Sequence, residues 1–229
     1  MGGVSYYLYG SSARGDKNRD SDLDVLAVCD DPKNADREQL STGAFRLSPF
    51  RPIDLSVYGI CRLREMYLKG NLFAWHLYRE SLFLEGDVDL LAELGKPAVY
   101  TGFREDATHL FSLLESVCEQ IEIAPYNLVY EAGIVYVCVR NIAMAASYFR
   151  KDGPNFSPYA PFDDGPGGFQ FPLSRVEYDC LRTARLSGTR GCAAPELDAA
   201  RFRYTVEKLL AWASNIIDIE EKHYEAPVC

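Results

Sequence analysis

The sequence predicts an α+β fold, in which strands alternate with helices over residues 1–96 and helices alone make up residues 97–229. Short β-branched and aromatic runs in the first part are typical of buried strands. In the second part, apolar residues recur at three- and four-residue steps, which indicates amphipathic helices packed as an up-and-down bundle. The Gly95-Lys96-Pro97 break separates the two patterns, so we expect two domains that meet there.

The amino-terminal part contains three predicted strands. They cover Ser5 to Tyr9, Asp22 to Val28 and Pro52 to Tyr58, where β-branched and aromatic residues are concentrated. Two short helices and a further short strand are predicted after them, at 61–69, 72–79 and 81–84.

The stretch from Gly10 to Asp24 is the most informative part of the chain. Gly10 lets the chain turn where a Cβ would clash, and it lets an anion approach the main chain. Ser11 adds a hydroxyl donor, and the amides after it form an anion-binding concavity if a helix begins there. Asp22 and Asp24 alternate along the second strand and therefore share one face. The stretch thus combines an anion-binding turn with two neighbouring carboxylates.

A third acid extends the carboxylate pair. Asp54 lies between two apolar residues of the third strand, and it would adjoin Asp22 and Asp24 if that strand paired with the second. Carboxylates in an apolar strand are costly unless they are neutralised, and Mg²⁺ favours a few carboxylates together with phosphate oxygens. Three converging acids can hold two metal ions about 4 Å apart. The sequence therefore predicts two Mg²⁺ ions bound by Asp22, Asp24 and Asp54.

These residues resemble the motif of a nucleotidyltransferase superfamily, which is Gly-Ser, ten residues and Asp-x-Asp. Gly10-Ser11, the intervening Ser12 to Ser21 and Asp22-Leu23-Asp24 match it without a gap. The chain is most similar to the minimal nucleotidyltransferases and to the amino-terminal halves of aminoglycoside adenylyltransferases. The resemblance implies a mixed β-sheet with flanking helices. It also implies transfer of a nucleoside monophosphate, commonly AMP from ATP, to an acceptor hydroxyl.

The resemblance also assigns roles by position. Gly10 and Ser11 would hold the triphosphate, and Asp22 and Asp24 would bind the two Mg²⁺ ions. Asp54 would complete the metal site and help to activate the acceptor.

Further residues near the motif are candidates for nucleotide binding. Ser21 belongs to this group, and Arg14 and Arg19 are weaker candidates for phosphate contact; for each arginine the alternative is a solvated loop side chain. Family members usually carry a helix before the first strand, whereas only Met1 to Val4 precede it here. We therefore expect one face of the sheet to be less covered.

Composition limits the partners that the chain can have. A formal net charge of −9 argues against a polynucleotide as the main partner, because binding a phosphate backbone needs a basic surface, and it favours a cationic acceptor. The seven cysteines are odd in number and widely spaced, which is typical of free thiols in the cytoplasm. Neither a signal peptide nor an uninterrupted apolar stretch of membrane length is found, so no membrane partner is expected.

Four segments of the carboxyl-terminal part are predicted helices. One runs from Phe103 to Ile121, and the next, from Glu131 to Tyr148, is apolar nearly all round, as in the centre of a bundle. Ser174 and Glu177 form a capping box that opens a helix to about Arg185. Pro195 suits the first turn of the last helix.

The long segment 152–172 is rich in Pro, Gly and aromatic residues. Loops of this length without secondary structure are uncommon unless they have a function. We expect it to fold over the domain junction and to shape an acceptor or adenine pocket. The alternative is that it packs on its own bundle.

The bundle resembles the HEPN-like helical domains that are often paired with minimal nucleotidyltransferases. Ribonuclease members carry an Arg followed by a His after four to six residues, but Ala145, Ala146 and Ser147 stand at those positions after Arg140. Without a His the chain has no general base on this helix, so ribonuclease activity is not carried over. We expect Arg140 either to pair with a buried acid such as Glu131 or to face the nucleotide pocket.

Two classes of function remain open at the level of sequence. An enzyme would transfer AMP either to a small molecule such as an aminoglycoside or to a protein hydroxyl. A non-catalytic nucleotide-binding or interaction module is the alternative, either a homodimer formed through the bundle or an antitoxin-like partner of a HEPN toxin. Intact acids at three positions favour the enzyme, because binding alone does not need Asp54.

Overall fold

The computed structural model describes residues 3–15, 23–33, 35–47, 52–163 and 170–225. The chain divides into two compact units, Met1–Thr101 and Gly102–Cys229, at a point a few residues beyond the Gly95-Lys96-Pro97 break. The first unit contains a mixed sheet with flanking helices, and the second is helical. The predicted α+β fold is therefore confirmed.

The sheet of the first unit has four strands in the order β3-β2-β1-β4. β1 is antiparallel to both of its neighbours, whereas β2 and β3 run parallel. The prediction that the third strand lies beside the second is thus confirmed. The strands are β1 (Ser5–Tyr9), β2 (Leu23–Cys29), β3 (Ile53–Gly59) and β4 (Leu82–Glu85).

Helices cover both faces of this sheet. Leu23 and Val25 pack on one face with Leu40 of α2, while Leu26 and Val28 pack on the other with residues of α3, α4 and α5. Among the described helices one packs on the first face and three pack on the second, which agrees with the expectation of a less covered face. The helices are α1 (Gly10–Arg14), α2 (Arg37–Leu47), α3 (Ile60–Leu68), α4 (Leu72–Glu80) and α5 (Leu90–Leu94).

The second unit packs around one apolar helix. This helix, α7, contacts the three other long helices of the unit, and most of its side chains are buried. Pro125–Phe149 is long and apolar enough to cross a membrane by composition, but 56% of its most apolar window is buried inside the protein. It is thus built like the core helix of a bundle. The long helices are α6 (Phe103–Ile123), α7 (Leu128–Ala146), α8 (Arg175–Arg190) and α9 (Ala199–Glu225).

Two helix starts in this unit were predicted from capping residues, with different outcomes. At α8 the Ser174 side chain accepts from the backbone N–H of Glu177, and the Glu177 carboxylate accepts from the N–H of Ser174. The predicted capping box is confirmed. The last helix begins at Ala199 rather than near Pro195, because the carboxylate of Asp198 accepts from the Arg201 N–H and provides the stronger cap.

The described part of the loop 152–172 packs on its own bundle. Phe156 is fully buried, and the rings of Tyr159, Phe162 and Phe171 all contact the ring of Tyr178 on α8. The Tyr178 hydroxyl in turn donates to the carbonyl of Pro158 at 2.6 Å. The alternative, that this loop packs on its own bundle, is therefore confirmed for its described part; Phe169 lies outside the described residues.

Arg140 and Glu131 do not form the expected pair. They lie nine residues apart on α7, which separates them by about 13 Å along the helix axis. Arg140 donates from Nη2 to the carbonyl of Phe156 at 3.1 Å and so fastens the loop to the helix. Among the described residues no basic group pairs with Glu131, and burial raises the pKa of its carboxyl group.

Candidate active site

Three polar side chains stand in one row across the sheet. Tyr9 of β1 pairs in register with Asp24 of β2, and Asp24 pairs with Asp54 of β3. Residues directly opposite each other in a sheet point to the same face, and neighbouring strands lie about 4.8 Å apart. The two carboxylates are therefore side by side, with Asp24 half-buried and Asp54 exposed at the edge of the sheet.

The Gly10 turn lies directly against the first of these carboxylates. Gly10 has a φ of +68°, and a Cβ added to it would come within 2.5 Å of Oδ2 of Asp24. Both the backbone conformation and the close approach therefore require glycine. Because α1 begins at Gly10, the turn and Ser11 lie beside the acidic row. The structure thus brings together Gly10, Ser11, Asp24 and Asp54, four of the residues that were predicted from the sequence.

Tyr9 and Ser56 add two hydroxyl groups to the face of the sheet that carries Asp24 and Asp54. Ser56 follows Asp54 by two residues and so shares its face, and the hydroxyl groups of Tyr9 and Ser56 are 3.1 Å apart. Burial, together with the charges of Asp24 and Asp54, raises the pKa of the Tyr9 phenol. The site therefore holds a neutral phenol close to the two carboxylates. Sequence reasoning missed both hydroxyl groups, because each lies in a strand pattern that is explained by packing alone.

Arg14, predicted as a nucleotide-binding residue, belongs to a second polar cluster. Its Nη1 donates to Oε2 of Glu80 at 2.6 Å, and Nε2 of His76 lies 3.0 Å from the same oxygen. Burial raises the pKa of Glu80, but the hydrogen bonds from His76 and Arg14 outweigh it, so the net pKa is lowered. Glu80 is therefore a carboxylate at neutral pH. In the sequence, the contact between His76 and Glu80 was indicated only by their spacing of four residues, which is one helical turn.

The remaining predicted residues Arg19, Ser21 and Asp22 lie outside the described residues. Within the part of the chain that is described, no three metal-ligating side chains cluster. The donor set that is seen nevertheless suits Mg²⁺, because Asp24 and Asp54 offer adjacent hard oxygen ligands and leave room for phosphate oxygens. An ion bound there would also neutralise a carboxylate in a strand that is otherwise buried.

Adjacent strand carboxylates beside a glycine-serine turn are suited to the class of protein that acts on phosphate groups with divalent metal. The family model described as nucleotidyltransferase domain matches residues 2–124, which is more than half of the chain. The chain therefore belongs to the nucleotidyltransferase domain family, whose activity is nucleotidyl transfer. The match covers the first unit and all of α6. A comparison with curated proteins finds no match.

Proposed function

We propose that this nucleotidyltransferase is a Mg²⁺-dependent adenylyltransferase that moves AMP from ATP to an acceptor hydroxyl and releases pyrophosphate. The observation that carries the proposal is the register of Asp24 with Asp54 directly beside the Gly10 turn. Transfer of a nucleotidyl group has two requirements: the triphosphate must be held in position, and its negative charge must be neutralised at the same place. This face of the sheet combines both requirements.

The Gly10 turn and the carboxylates each have a role in this reaction. Gly10 and Ser11 bind the phosphates through backbone amides and a hydroxyl group. Asp24 and Asp54, with Asp22, would hold two Mg²⁺ ions, which supply charge neutralisation at the phosphates when bound. Asp54 is exposed at the edge of the sheet and takes the proton of the acceptor hydroxyl.

The bond changes of the transfer step balance without a further reactant. The acceptor oxygen forms a bond to the α-phosphorus, while the bond from the α-phosphorus to the bridging oxygen breaks. The electron pair leaves with pyrophosphate, and the hydroxyl proton goes to the carboxylate. Ser21 and Arg14 are proposed as further contacts to the nucleotide.

Pyrophosphate release from ATP and Mg²⁺ tests this proposal. Asp24→Asn and Asp54→Asn keep the size of the side chains but remove the charges, and we expect each to lower the rate by more than about 100-fold. Asp30→Asn is the matched control, because Asp30 is exposed just beyond the opposite end of β2. Equal rates in the wild type, both site variants and the control would contradict the proposal.

The acceptor is proposed from charge. A formal net charge of −9 favours a cationic small molecule such as an aminoglycoside over an anionic one. A protein hydroxyl is the second acceptor class, with the helical unit as a HEPN-like partner domain. Mass spectrometry separates them: a gain of one AMP on a small molecule supports the first, and AMP on a co-purified protein supports the second.

A non-catalytic role predicts a different outcome in the same assays. Tight, Mg²⁺-dependent ATP binding without pyrophosphate release over a broad acceptor panel would favour a nucleotide-binding or antitoxin-like module. The exposed carboxylate of Asp54 supports the catalytic role, since an acceptor can reach it. For the cellular location we propose the cytoplasm, supported by the free thiols of the described cysteines.

A further inference from the structure

We propose that Glu80 is a positioning residue of the nucleotide site, which acts with His76 through Arg14 on the phosphate-binding turn. The proposal rests on the proposed function and adds to it a residue of α4 that touches neither substrate nor metal. Its physical basis is a continuous set of contacts from the end of α1 through α4 to the acidic row.

The phosphate-binding turn begins a helix, α1, that is too short to be stable without contacts to the rest of the unit. α1 has five residues, from the turn at Gly10 to Arg14 at its last position, and Gly15 follows in the left-handed conformation with a φ of +81°. A single turn of helix is unstable without tertiary contacts. The contacts of Arg14 therefore help to fix the position of α1 and of the Gly10 turn at its start.

Glu80 provides that hold. The ion pair between Arg14 and Glu80 joins residues 66 positions apart, and their side chains are only 17% and 12% exposed. A largely buried, charge-assisted hydrogen bond of 2.6 Å is strong and directional. Loss of the Glu80 carboxylate therefore removes a strong bond from the largely buried guanidinium of Arg14.

His76 connects the same carboxylate to the acidic row. Its ring lies 5.7 Å from the ring of Tyr9 in an edge-on arrangement, and its Nε2 lies 3.0 Å from Glu80. Tyr9 is in register with Asp24, and its hydroxyl lies 3.1 Å from that of Ser56 on the strand of Asp54. One face of α4 therefore contacts both the helix that grips phosphate and the strand row that carries the acids.

The experiment measures nucleotide binding separately from folding. Binding of Mg²⁺ with α,β-methylene-ATP, a non-transferable analogue, is titrated calorimetrically for wild type and Glu80→Gln, and thermal unfolding is followed in parallel. We expect about tenfold weaker binding in the variant, since a charge-assisted bond is replaced by a neutral one. The control is Glu65→Gln, the same substitution in an exposed ion pair with Arg62 on α3, and it is expected to bind like the wild type.

A double-mutant cycle with Arg14→Gln identifies the path of the effect. If Glu80 acts through Arg14, the double variant binds the analogue no more weakly than Arg14→Gln alone. If Glu80→Gln does not fold, Glu80→Asp replaces it, because it keeps the charge but shortens its reach. Wild-type affinity in the folded variant, or additive losses in the cycle, would overturn the positioning role. A wild type that fails to bind the analogue overturns the proposed function itself.

Discussion

At the residue scale, the account depends on how closely Gly10 approaches Asp24. The two residues are neighbours because β1 and β2 are antiparallel and the turn begins where β1 ends. A turn at Gly10 was predictable from the sequence, because the first predicted strand ends there and glycine tolerates the conformation that a turn needs. That its missing side chain makes room for a carboxylate was not predictable, because it depends on strand register.

We predict that Gly10→Ala abolishes tight binding of Mg²⁺ with α,β-methylene-ATP. The new Cβ would stand within 2.5 Å of Oδ2 of Asp24 and push the turn or the carboxylate aside. The backbone at a φ of +68° adds a destabilisation of about 1–3 kcal/mol. Calorimetric titration and urea unfolding measure the two effects.

Gly191→Ala is the matched control for this change. Gly191 has a φ of +67° at the end of α8, and no described atom lies within 4 Å of a Cβ placed there. Gly191→Ala introduces the same backbone strain as Gly10→Ala but no contact with a carboxylate. The control is therefore expected to lose stability but not nucleotide binding. Similar binding losses in both variants would show that strain, rather than the contact with Asp24, is responsible.

At the element scale, the long helices with clear apolar periodicity were predicted, whereas α2 and the short α5 were missed. α2 has Gly43 at its centre, because a side chain there would run into the Tyr6 hydroxyl of the sheet. This glycine weakens the helical pattern of 37–47, and only tertiary packing explains it. The capping box of α8 was predictable because both of its partners lie within one turn.

The cap of α8 provides a prediction for one element. Ser174→Ala removes the acceptor for the N–H of Glu177 and is expected to lower the free energy of unfolding by about 1 kcal/mol. Ser116→Ala is the control within a helix, since the Ser116 hydroxyl donates only to a carbonyl of its own helix. Urea unfolding measures both changes. A loss no larger than that of the control would contradict the role of the cap.

The buried acid on α7 predicts a pH dependence. Burial raises the pKa of Glu131, so the folded state holds this proton to higher pH than the unfolded chain does. Stability due to this group therefore falls as the pH rises above about 4.5 through the raised pKa. We predict that Glu131→Gln unfolds at a higher temperature than wild type at pH 7 and at the same temperature at low pH.

The control for this prediction is an exposed acid of the same unit. Glu119 on α6 is exposed, and Glu119→Gln is expected to leave the pH dependence of thermal unfolding unchanged. A Glu131→Gln variant that is less stable than wild type at neutral pH would show that the carboxylate has a favourable partner when ionised.

At the scale of the whole molecule, the order of elements was predictable, but the long-range contacts were not. The α+β division follows from the change in hydrophobic period along the chain. The packing of the loop 152–172 on α8 was left open, because its aromatic residues carry no information about which surface they cover. Tyr178, the residue around which they assemble, lies on α8 and looks like an ordinary core position in sequence.

The central claim is that the carboxylates of Asp24 and Asp54 act together in binding metal and triphosphate. The most direct test is a calorimetric titration of the whole chain with α,β-methylene-ATP, with and without Mg²⁺. We predict Mg²⁺-dependent binding in the wild type and in Asp30→Asn, and its loss in both Asp24→Asn and Asp54→Asn. Binding of equal strength in all four proteins, or binding that does not depend on Mg²⁺, would contradict the account.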